Sequence, residues 1–294
     1  MNEHTLKETI NTLSIWKKGN QRAPHKPLLL LYTLARLQSD QSQFIPYKEV
    51  KEKLTSLLIE FGPKRKSYHP EEPFVRLKHD GIWELRTTLE IDTRNPNNRL
   101  LLDHHVSGGF TDEVYLLLKD NHQLLCEIAD ILLRNHFPET LHEDILAHVG
   151  LDLEYKGKRS RDPYFRERIL KAYEYSCAVC GFNVRLGDKL VGVEAAHIKW
   201  HQAGGPDVEN NGIALCSMHH KLFDRGVFTL SEENTFLVAE QAHGTSGFQE
   251  WLLQFHGKDI RRPIHPDYLP EDRFLNWHVR EVFKGPERYI FRND

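Results

Sequence analysis

The spacing of apolar residues along the first half of the chain predicts a mostly helical region. Apolar positions recur every three or four residues over 5–17, which predicts a helix that Gly19 ends. A second helix is predicted to open with Pro27 in its first turn. Its apolar residues over 28–37 lie on nearly all sides, as expected of a central core helix. The same periodicity predicts helices over 46–61, 111–119 and 121–136.

One segment of this region departs from the helical period. Two short apolar runs, 74–77 and 82–85, flank Asp80-Gly81, a dipeptide that favours tight turns. This pattern predicts a small β-hairpin. The fold expected for the N-terminal region is therefore mostly helical with a small β-hairpin.

The apolar pattern stops after residue 149. Residues 150–162 are polar, basic and aperiodic, which predicts a linker. At 294 residues the chain exceeds the usual length of one domain, so we expect two, 1–149 and 163–294. The second is predicted to begin with a short helix over 163–175 and to end in a helical extension, in which 274–278 closes its core. The fold class expected for the whole chain is α+β.

Composition adds limits to this picture. The formal charge of −3 argues against a globally basic DNA-binding protein. Locally, 156–171 holds seven Lys/Arg against two acids, which fits either a solvated surface or a phosphate contact. The longest apolar run is far shorter than the ~20 residues of a membrane span. The N-terminus lacks a signal-peptide core, so we expect a cytoplasmic location and no membrane partner.

Two pairs of metal-binding residue types share one spacing, Cys177-x2-Cys180 and Cys216-x2-His219. Two intervening residues let a tight turn direct both side chains at one ion, and two such pairs complete a tetrahedron. In a reducing compartment, cysteines clustered in this way indicate metal rather than disulfides. Because a closed set of four ligands leaves no position for substrate, the predicted Zn²⁺ is structural.

Between the ligand pairs the chain has the pattern of a strand, a loop and a helix. The strand over 191–198 carries His197 near its end, the loop contains Asn211, and His220 directly follows the last zinc ligand. Asp224 lies one helical turn after His220, on the same face. The pattern predicts that these side chains meet beside the zinc. A histidine suits deprotonation of water near neutral pH, and a hard divalent ion suits the charge at a scissile phosphate.

The segments VEAAHIKW, GG and ENNGIALCSMHHKLFDRGVFTL resemble the HNH endonuclease family, which has a ββα-metal fold. The resemblance is closest to the branch whose zinc is held by flanking Cys/His pairs. It implies that His197 is the general base that activates water. It also implies that Asn211 orients this base or completes the site, and that His220 binds a catalytic Mg²⁺ or Mn²⁺.

The chain departs from a common family pattern at one position. The residue directly before the base is often an acid or a histidine that binds the metal, and here it is Ala196. Asp224, on the face of His220, is the expected replacement, and a place on the helix surface or a supporting role behind the metal ligand is the alternative for this residue. Glu194 is the alternative, although strand alternation points it away from His197.

The N-terminal motifs RAPHKPLLLL, HPEEPFVRL, DGIWEL and SGGF resemble the sulfur-binding domain of McrA-like, phosphorothioation-dependent restriction endonucleases of type IV. The resemblance implies recognition of DNA in which sulfur replaces a non-bridging phosphate oxygen. Sulfur is larger and less hydrated than oxygen, so proline rings and aliphatic stems ringed by cationic donors suit it. Tyr68 is expected to stand in for an aromatic that the family often has where this chain has Glu72. By this resemblance the expected DNA-binding residues are Arg22, Pro24, His25, Lys26, Tyr68, Pro73 and Arg99.

Together the two resemblances predict a modification-dependent restriction endonuclease that recognises phosphorothioated double-stranded DNA and hydrolyses nearby phosphodiester bonds. One alternative keeps the nuclease but reads another mark such as methylcytosine, for which a deep aromatic cage is expected. The other is a non-catalytic zinc-containing DNA-binding protein, in which loss of His197 or Asn211 would be expected. Two cuts on one duplex by a single-site module need two protomers or two encounters, so a homodimer is one expectation.

Overall fold

In the computed structural model of the chain, which describes residues 1–15, 21–40, 42–153 and 163–290, two compact units form, Met1–Gly157 and Lys158–Asp294. Most of the predicted linker, residues 154–162, lies outside the described ranges. The elements of the first unit are α1 (Glu3–Asn11), α2 (His25–Asp40), β1 (Phe44–Pro46), α3 (Tyr47–Phe61), α4 (Glu71–Arg76), β2 (Trp83–Arg86), α5 (Asn98–Asp103), β3 (Ser107–Phe110), α6 (Asp112–Lys119), α7 (His122–His136) and α8 (His142–Val149).

Helix α2 is the centre of the first unit, as its sequence predicts. Pro27 lies in the first turn, where its missing N–H breaks no helical hydrogen bond. The four leucines over 28–31 point to successive sides of the helix, and all are fully buried. They can all be buried because α2 packs against α3, α4, α7 and α8.

The predicted hairpin of 74–77 and 82–85 is wrong. Residues 74–76 complete α4 and 77–80 form a 3-10 turn, so only the second apolar run contains a strand. A short buried helix and a buried strand can have the same run of apolar residues. Four residues are too few for their spacing to distinguish the two structures. Strand β2 pairs instead with β3, and β3 with β1, in an antiparallel sheet of order β1-β3-β2.

Two adjacent glycines in β3 let this sheet pack against the helices. A Cβ on Gly108 would lie 2.8 Å from the Phe74 ring and 2.9 Å from the Trp83 ring. A Cβ on Gly109 would lie 1.7 Å from the carbonyl oxygen of Gln43, directly before β1. The Ser-Gly-Gly-Phe segment is therefore required by close packing in the core of the first unit.

Three of the other helices predicted for the first unit are confirmed, and one is shorter than predicted. Those over 46–61, 111–119 and 121–136 are confirmed as α3, α6 and α7, with small shifts at their ends. Helix α1 ends at Asn11 rather than at 17, and Leu13 is buried in the coil that follows. Gly19, the predicted end of this helix, lies outside the described residues.

The second unit is built on two paired strands followed by a helix. Strands β6 and β7 are antiparallel over their whole length, from the pair Val193 and Cys216 to the pair His197 and Gly212. Helix α10 follows β7 directly and packs on both strands, which is a ββα arrangement. The elements of this unit are α9 (Pro163–Ala172), β4 (Val184–Leu186), β5 (Lys189–Val191), β6 (Val193–His197), β7 (Gly212–Cys216), α10 (Ser217–Asp224), β8 (Phe228–Leu230), β9 (Phe236–Val238), α11 (Ser246–Trp251) and α12 (Asp272–Glu281).

Helix α9 lies against β6 and β7. A Cβ on Gly212 would lie 2.2 Å from Cδ1 of Ile169 and 3.0 Å from the ring of Phe165. The glycine at the start of β7 therefore permits the close approach of α9. The predicted helix over 163–175 is present but ends at Ala172.

The predicted C-terminal helix is confirmed as α12, which packs against β8. Its residues Phe274, Leu275, Trp277 and His278 are buried. The ring of His278 stacks on that of Phe223 in α10 at 3.7 Å between centroids. The helix thus closes the core behind the ββα arrangement. Among the helices in the described ranges, none is both long and apolar enough to span a membrane.

Candidate functional site

The four predicted zinc ligands meet in the second unit. The sulfur atoms of Cys177, Cys180 and Cys216 and a ring nitrogen of His219 all lie within 4.8 Å of one another. The first two cysteines flank a turn before β4, Cys216 ends β7, and His219 lies in the first turn of α10. The two short spacings in the sequence therefore correspond to two turns that face each other.

Hydrogen bonding orients His219 toward the sulfur atoms. Its Nδ1 lies 3.1 Å from Sγ of Cys216 and 3.7 Å from Sγ of Cys177. Its Nε2 lies 2.8 Å from the backbone carbonyl oxygen of Trp251. Because a carbonyl only accepts, Nε2 carries a hydrogen, and Nδ1 is the ring nitrogen that faces the sulfur atoms.

The chemistry of this cluster fits a divalent metal. Burial lowers the pKa of His219, but hydrogen bonds to Cys177 and Cys216 and the charges of these thiolates raise it to about 10. Hydrogen bonds from Cys180 and Cys216 lower the pKa of the Cys177 thiol below its usual range. The hydrogen bond with Cys177 raises the pKa of the Cys180 thiol, so the thiolate is favoured at Cys177, and a buried thiolate is stabilised by a cation. Three sulfur donors and one imidazole nitrogen form the donor set of a tetrahedral, zinc-type site.

His197 ends β6 and is held from two sides. Its Nε2 lies 2.7 Å from Oδ1 of Asp207, and its ring stacks on Phe165 at 4.0 Å between centroids. The side chains of His197 and Asp207 are 21% and 32% exposed, so solvent reaches the pair. Arg168 of α9 donates to the carbonyl oxygen of Asp207 at 2.7 Å. A carboxylate in this position stabilises the imidazolium that forms when a histidine takes up a proton.

Asn211 fixes the loop between His197 and Asp207. It is fully buried, and its Oδ1 accepts from the N–H of Lys199 at 2.9 Å. Its Nδ2 donates to the carbonyl oxygens of Lys199 and Pro206 at 3.0 Å and 2.9 Å. Both amide hydrogens are thus given to backbone, which leaves none to donate to His197. Asn211 closes the loop that leads from His197 to Asp207.

His220 is buried between two carboxylates. Its Nδ1 lies 2.7 Å from Oε2 of Glu194, and its Nε2 lies 3.3 Å from Oδ2 of Asp224. The other oxygen of Asp224 accepts from the indole N–H of Trp200 at 2.9 Å. Burial lowers the pKa of His220, but the charge of Asp224 and hydrogen bonds to Asp224 and Glu194 raise it to about 9.

In the first unit, several residues singled out by the sequence lie where α2 and α4 begin and pack together. His69, just before α4, has Nδ1 at 2.9 Å from Oε1 of Glu71. Burial, with the charges of His69 and Arg65, lowers the pKa of His25 to about 4, against the opposing effect of Glu71. His25 is thus close to all three groups. Tyr68, which directly precedes His69 in the sequence, is half-buried.

The other predicted DNA-binding residues differ in their surroundings. The ammonium of Lys26 lies 2.5 Å from Oδ2 of Asp80, and the Lys26 side chain is 12% exposed, so an internal ion pair holds it. Arg22 donates to the carbonyl oxygen of Phe61 at 2.6 Å. Arg99 is 89% exposed on α5. Both predicted pocket prolines, Pro24 and Pro73, are buried.

Sequence reasoning missed four groups around the nuclease site. Asp207 follows a Gly-Gly-Pro loop ten residues after His197, and that turn was the available signal that a carboxylate could fold back beside the base. Phe165 and Trp200 are aromatic residues, whose type alone does not distinguish a contact with the site from ordinary core packing. The carbonyl of Trp251 is a backbone group distant in sequence, so no residue type indicated it.

Comparison with known proteins agrees with both units. The family model described as ScoMcrA-like, DNA sulfur-binding domain matches residues 3–154. The model described as HNH endonuclease matches residues 177–231. No curated protein matches the chain closely enough to count as a relative.

The solved structures to which the chain is similar are distant. The sulfur binding domain of SprMcrA complexed with phosphorothioated DNA has 19% identity and a TM-score of 0.45, over 51% of this chain and 95% of that chain. The corresponding ScoMcrA domain complexed with phosphorothioated DNA has 20% identity and a TM-score of 0.42, over 49% and 94%. The modification dependent TagI restriction endonuclease has 20% identity and a TM-score of 0.30, over 45% and 41%.

The family models, and not these distant structures, show the class of protein to which the chain belongs. A ββα arrangement, a Cys3His cluster and the HNH endonuclease match define a two-unit nuclease of the HNH type. The match over 3–154 covers more than half of the 294 residues. The chain belongs to the family of proteins with a ScoMcrA-like DNA sulfur-binding domain.

Proposed function

We propose that this protein is a modification-dependent restriction endonuclease. Residues 1–149 recognise phosphorothioated double-stranded DNA, and residues 163–294 hydrolyse phosphodiester bonds near the mark. The observation that carries the proposal is the presence, in one chain, of a DNA sulfur-binding domain and an HNH endonuclease domain with a solvent-accessible His–Asp pair.

His197 acts as the general base in this proposal. Its 21% exposure lets a water molecule reach the ring, and Asp207 at 2.7 Å stabilises the imidazolium that forms when His197 takes the proton of that water. The stack on Phe165 limits rotation of the ring. Asn211 acts at a distance, by closing the loop that carries Asp207.

Two kinds of metal have separate tasks in the second unit. The Cys3His cluster holds a structural Zn²⁺, because its four ligands form a closed set. Mg²⁺ or Mn²⁺ held by His220 and a carboxylate would supply a Lewis acid at the scissile phosphate and the leaving oxygen. His220 is buried and its two ring nitrogens contact Glu194 and Asp224, so its ring position is fixed before DNA binds.

Reading of the mark is assigned to the cluster at the starts of α2 and α4. The rings of Pro24 and Pro73 are buried, so they give the cluster an apolar backing rather than a contact surface, and His25 and Arg65 offer donors. With a pKa near 4, His25 is neutral at pH 7 and donates an N–H hydrogen bond without a full charge. Such surroundings suit sulfur, which is larger and less hydrated than oxygen. Arg22 and Arg99 are proposed to bind neighbouring phosphates.

The nuclease assignment is tested by cleavage of DNA with single-residue variants. His197→Ala is expected to lower the cleavage rate at least a hundredfold, since general base catalysis contributes about 10²–10⁴-fold. Asp207→Asn is expected to lower it about tenfold or more and to shift the pH profile. His243→Ala, at an exposed histidine of the same unit, serves as the matched control. Full activity of His197→Ala would refute the proposed base.

The reading assignment is tested by binding alone, in a His197→Ala background that holds DNA uncut. Duplexes of one sequence carry a phosphorothioate, a methylcytosine or no mark. His25→Ala is expected to reduce the preference for the sulfur-containing duplex, whereas Arg99→Ala is expected to weaken binding to all duplexes alike. Lys119→Ala, an exposed cation on α6, controls for loss of charge. Preferential binding to the methylcytosine duplex would contradict recognition of sulfur and favour recognition of methylcytosine.

A further inference from the structure

We propose that Glu194 and Nδ1 of His220 form the divalent-metal site of this nuclease, and that Asp224 orients His220 from behind without binding the metal. The inference rests on the proposed nuclease function and assigns its metal ligands. It differs from the sequence-based expectation, in which Asp224 was the favoured ligand because it shares a helical face with His220.

The two carboxylates contact opposite nitrogens of one ring. Oε2 of Glu194 lies 2.7 Å from Nδ1 of His220, and Oδ2 of Asp224 lies 3.3 Å from Nε2. The lone pairs of the two ring nitrogens point in different directions, so a single ion at one nitrogen does not reach the carboxylate at the other. A metal site at His220 must therefore use one side of the ring.

Exposure decides which side. The side chain of Asp224 is 1% exposed, whereas that of Glu194 is 32% exposed. A catalytic ion must also bind phosphate oxygens and water, and Glu194 is the one of the two carboxylates that solvent reaches. The side facing Asp224 is closed by Trp200, whose indole N–H donates to Oδ1 of Asp224 at 2.9 Å.

The geometry on the Glu194 side suits a small hard cation. Adjacent ligand atoms of an octahedral ion with bonds of 2.0–2.1 Å are about 3 Å apart. The 2.7 Å between Glu194 Oε2 and His220 Nδ1 is within a few tenths of that separation. Two protein ligands are enough, because Mg²⁺ keeps several waters and takes substrate phosphate oxygens. Glu194 thus takes over from the position before the base, where Ala196 offers no donor.

Asp224 is then a positioning residue. A histidine bound to metal through one nitrogen commonly donates its other N–H to a carboxylate, which fixes the ring and raises its basicity. Asp224 accepts from Nε2–H of His220 and is itself fixed by Trp200, which is buried. This chain of contacts holds Nδ1 toward Glu194.

The test is direct Mn²⁺ binding to the full chain with its structural zinc in place, measured by electron paramagnetic resonance. Mn²⁺ prefers oxygen and nitrogen ligands and does not displace zinc from thiolates. Glu194→Gln is expected to weaken Mn²⁺ binding at least tenfold. Asp224→Asn leaves one acceptor oxygen for two donors, the indole N–H of Trp200 and Nε2–H of His220, so it is expected to weaken binding through loss of ring orientation while the bound Mn²⁺ keeps its imidazole nitrogen. Asp188→Asn, at the exposed turn between β4 and β5, is the matched control.

A second readout guards against variants that fold poorly. Electron spin echo modulation of bound Mn²⁺ is expected to show coupling to one directly bound imidazole nitrogen in the unmodified chain. Strong loss of affinity in Asp224→Asn with unchanged affinity in Glu194→Gln would overturn the inference and assign Asp224 as the ligand. No nitrogen coupling would also overturn it. If the chain cleaves DNA but Glu194→Gln does not change its Mn²⁺ affinity, the nuclease function is retained and only this metal site is rejected. Specific Mn²⁺ binding without cleavage would reject only the nuclease.

Discussion

Asn211 shows how a single buried amide supports the nuclease site. In Asn211→Ala the N–H and carbonyl of Lys199 and the carbonyl of Pro206 lose their partner. We expect the free energy of unfolding of the second unit to fall by about 3 kcal/mol, because each unpaired buried group costs about 1–3 kcal/mol. Urea denaturation measures this change. Asn276→Ala, which removes one exposed hydrogen bond, is the control and is expected to stay within about 0.5 kcal/mol. An equally small effect of Asn211→Ala would contradict the role given to it.

His25 gives a prediction for pH. Its pKa is lowered to about 4 in the folded protein, from about 6.5 in an unfolded chain. The neutral form is therefore favoured by folding, so this contribution to stability is complete above pH 6.5 and is lost as the pH falls toward 4. We expect His25→Gln to reduce the slope of unfolding free energy against pH in this window by up to about 1.4 kcal/mol per pH unit. Urea denaturation at pH 7, 6 and 5 tests it, and equal slopes would contradict the burial of His25.

At the scale of elements, the placement of α9 against β7 connects packing to chemistry. Gly212→Ala would place a Cβ 2.2 Å from Ile169 and 3.0 Å from Phe165, and Phe165 stacks on His197. We expect a loss of about 1–3 kcal/mol of stability through overpacking, together with reduced cleavage. Gly247→Ala in α11 is the control, because its nearest contact would be an ordinary 3.9 Å. Wild-type cleavage by Gly212→Ala would show that α9 does not position the base.

The elements that the sequence predicts well are those coded by local spacing. Helix α2 follows from its run of leucines, and the Cys3His cluster follows from two x2 spacings. The sequence predicts a small sheet in the first unit, and one of its predicted strands overlaps β2. Strands β1 and β3 were missed because they are only three and four residues long and include proline or glycine. Their pairing is decided by contacts distant in sequence, which no local period records. Asp207 was missed for the same reason, since only the fold of the loop brings it to His197.

At the scale of the whole molecule, the two units are expected to respond differently to metal removal. The Cys3His cluster joins the turn before β4 to the start of α10, and a structural zinc site supplies roughly 10 kcal/mol of folding free energy. Chelation of the full chain is expected to unfold the second unit while the first retains its helices. Calorimetry should then lose one of two transitions, and proteolysis should leave a fragment near residues 1–150. Retention of both transitions after complete zinc removal would contradict the structural role of the cluster.

The central claim, that cleavage depends on the sulfur mark, is tested most directly by a matched pair of duplexes. Both have one sequence, and one carries a stereodefined phosphorothioate; phosphorothioated bacterial genomic DNA extends the range of sequence contexts. Each is incubated with the full chain and Mg²⁺ or Mn²⁺, alongside His197→Ala. We predict cleavage of the sulfur-containing DNA only, abolished in the variant. Equal cleavage of marked and unmarked DNA by the unmodified chain would contradict the claim.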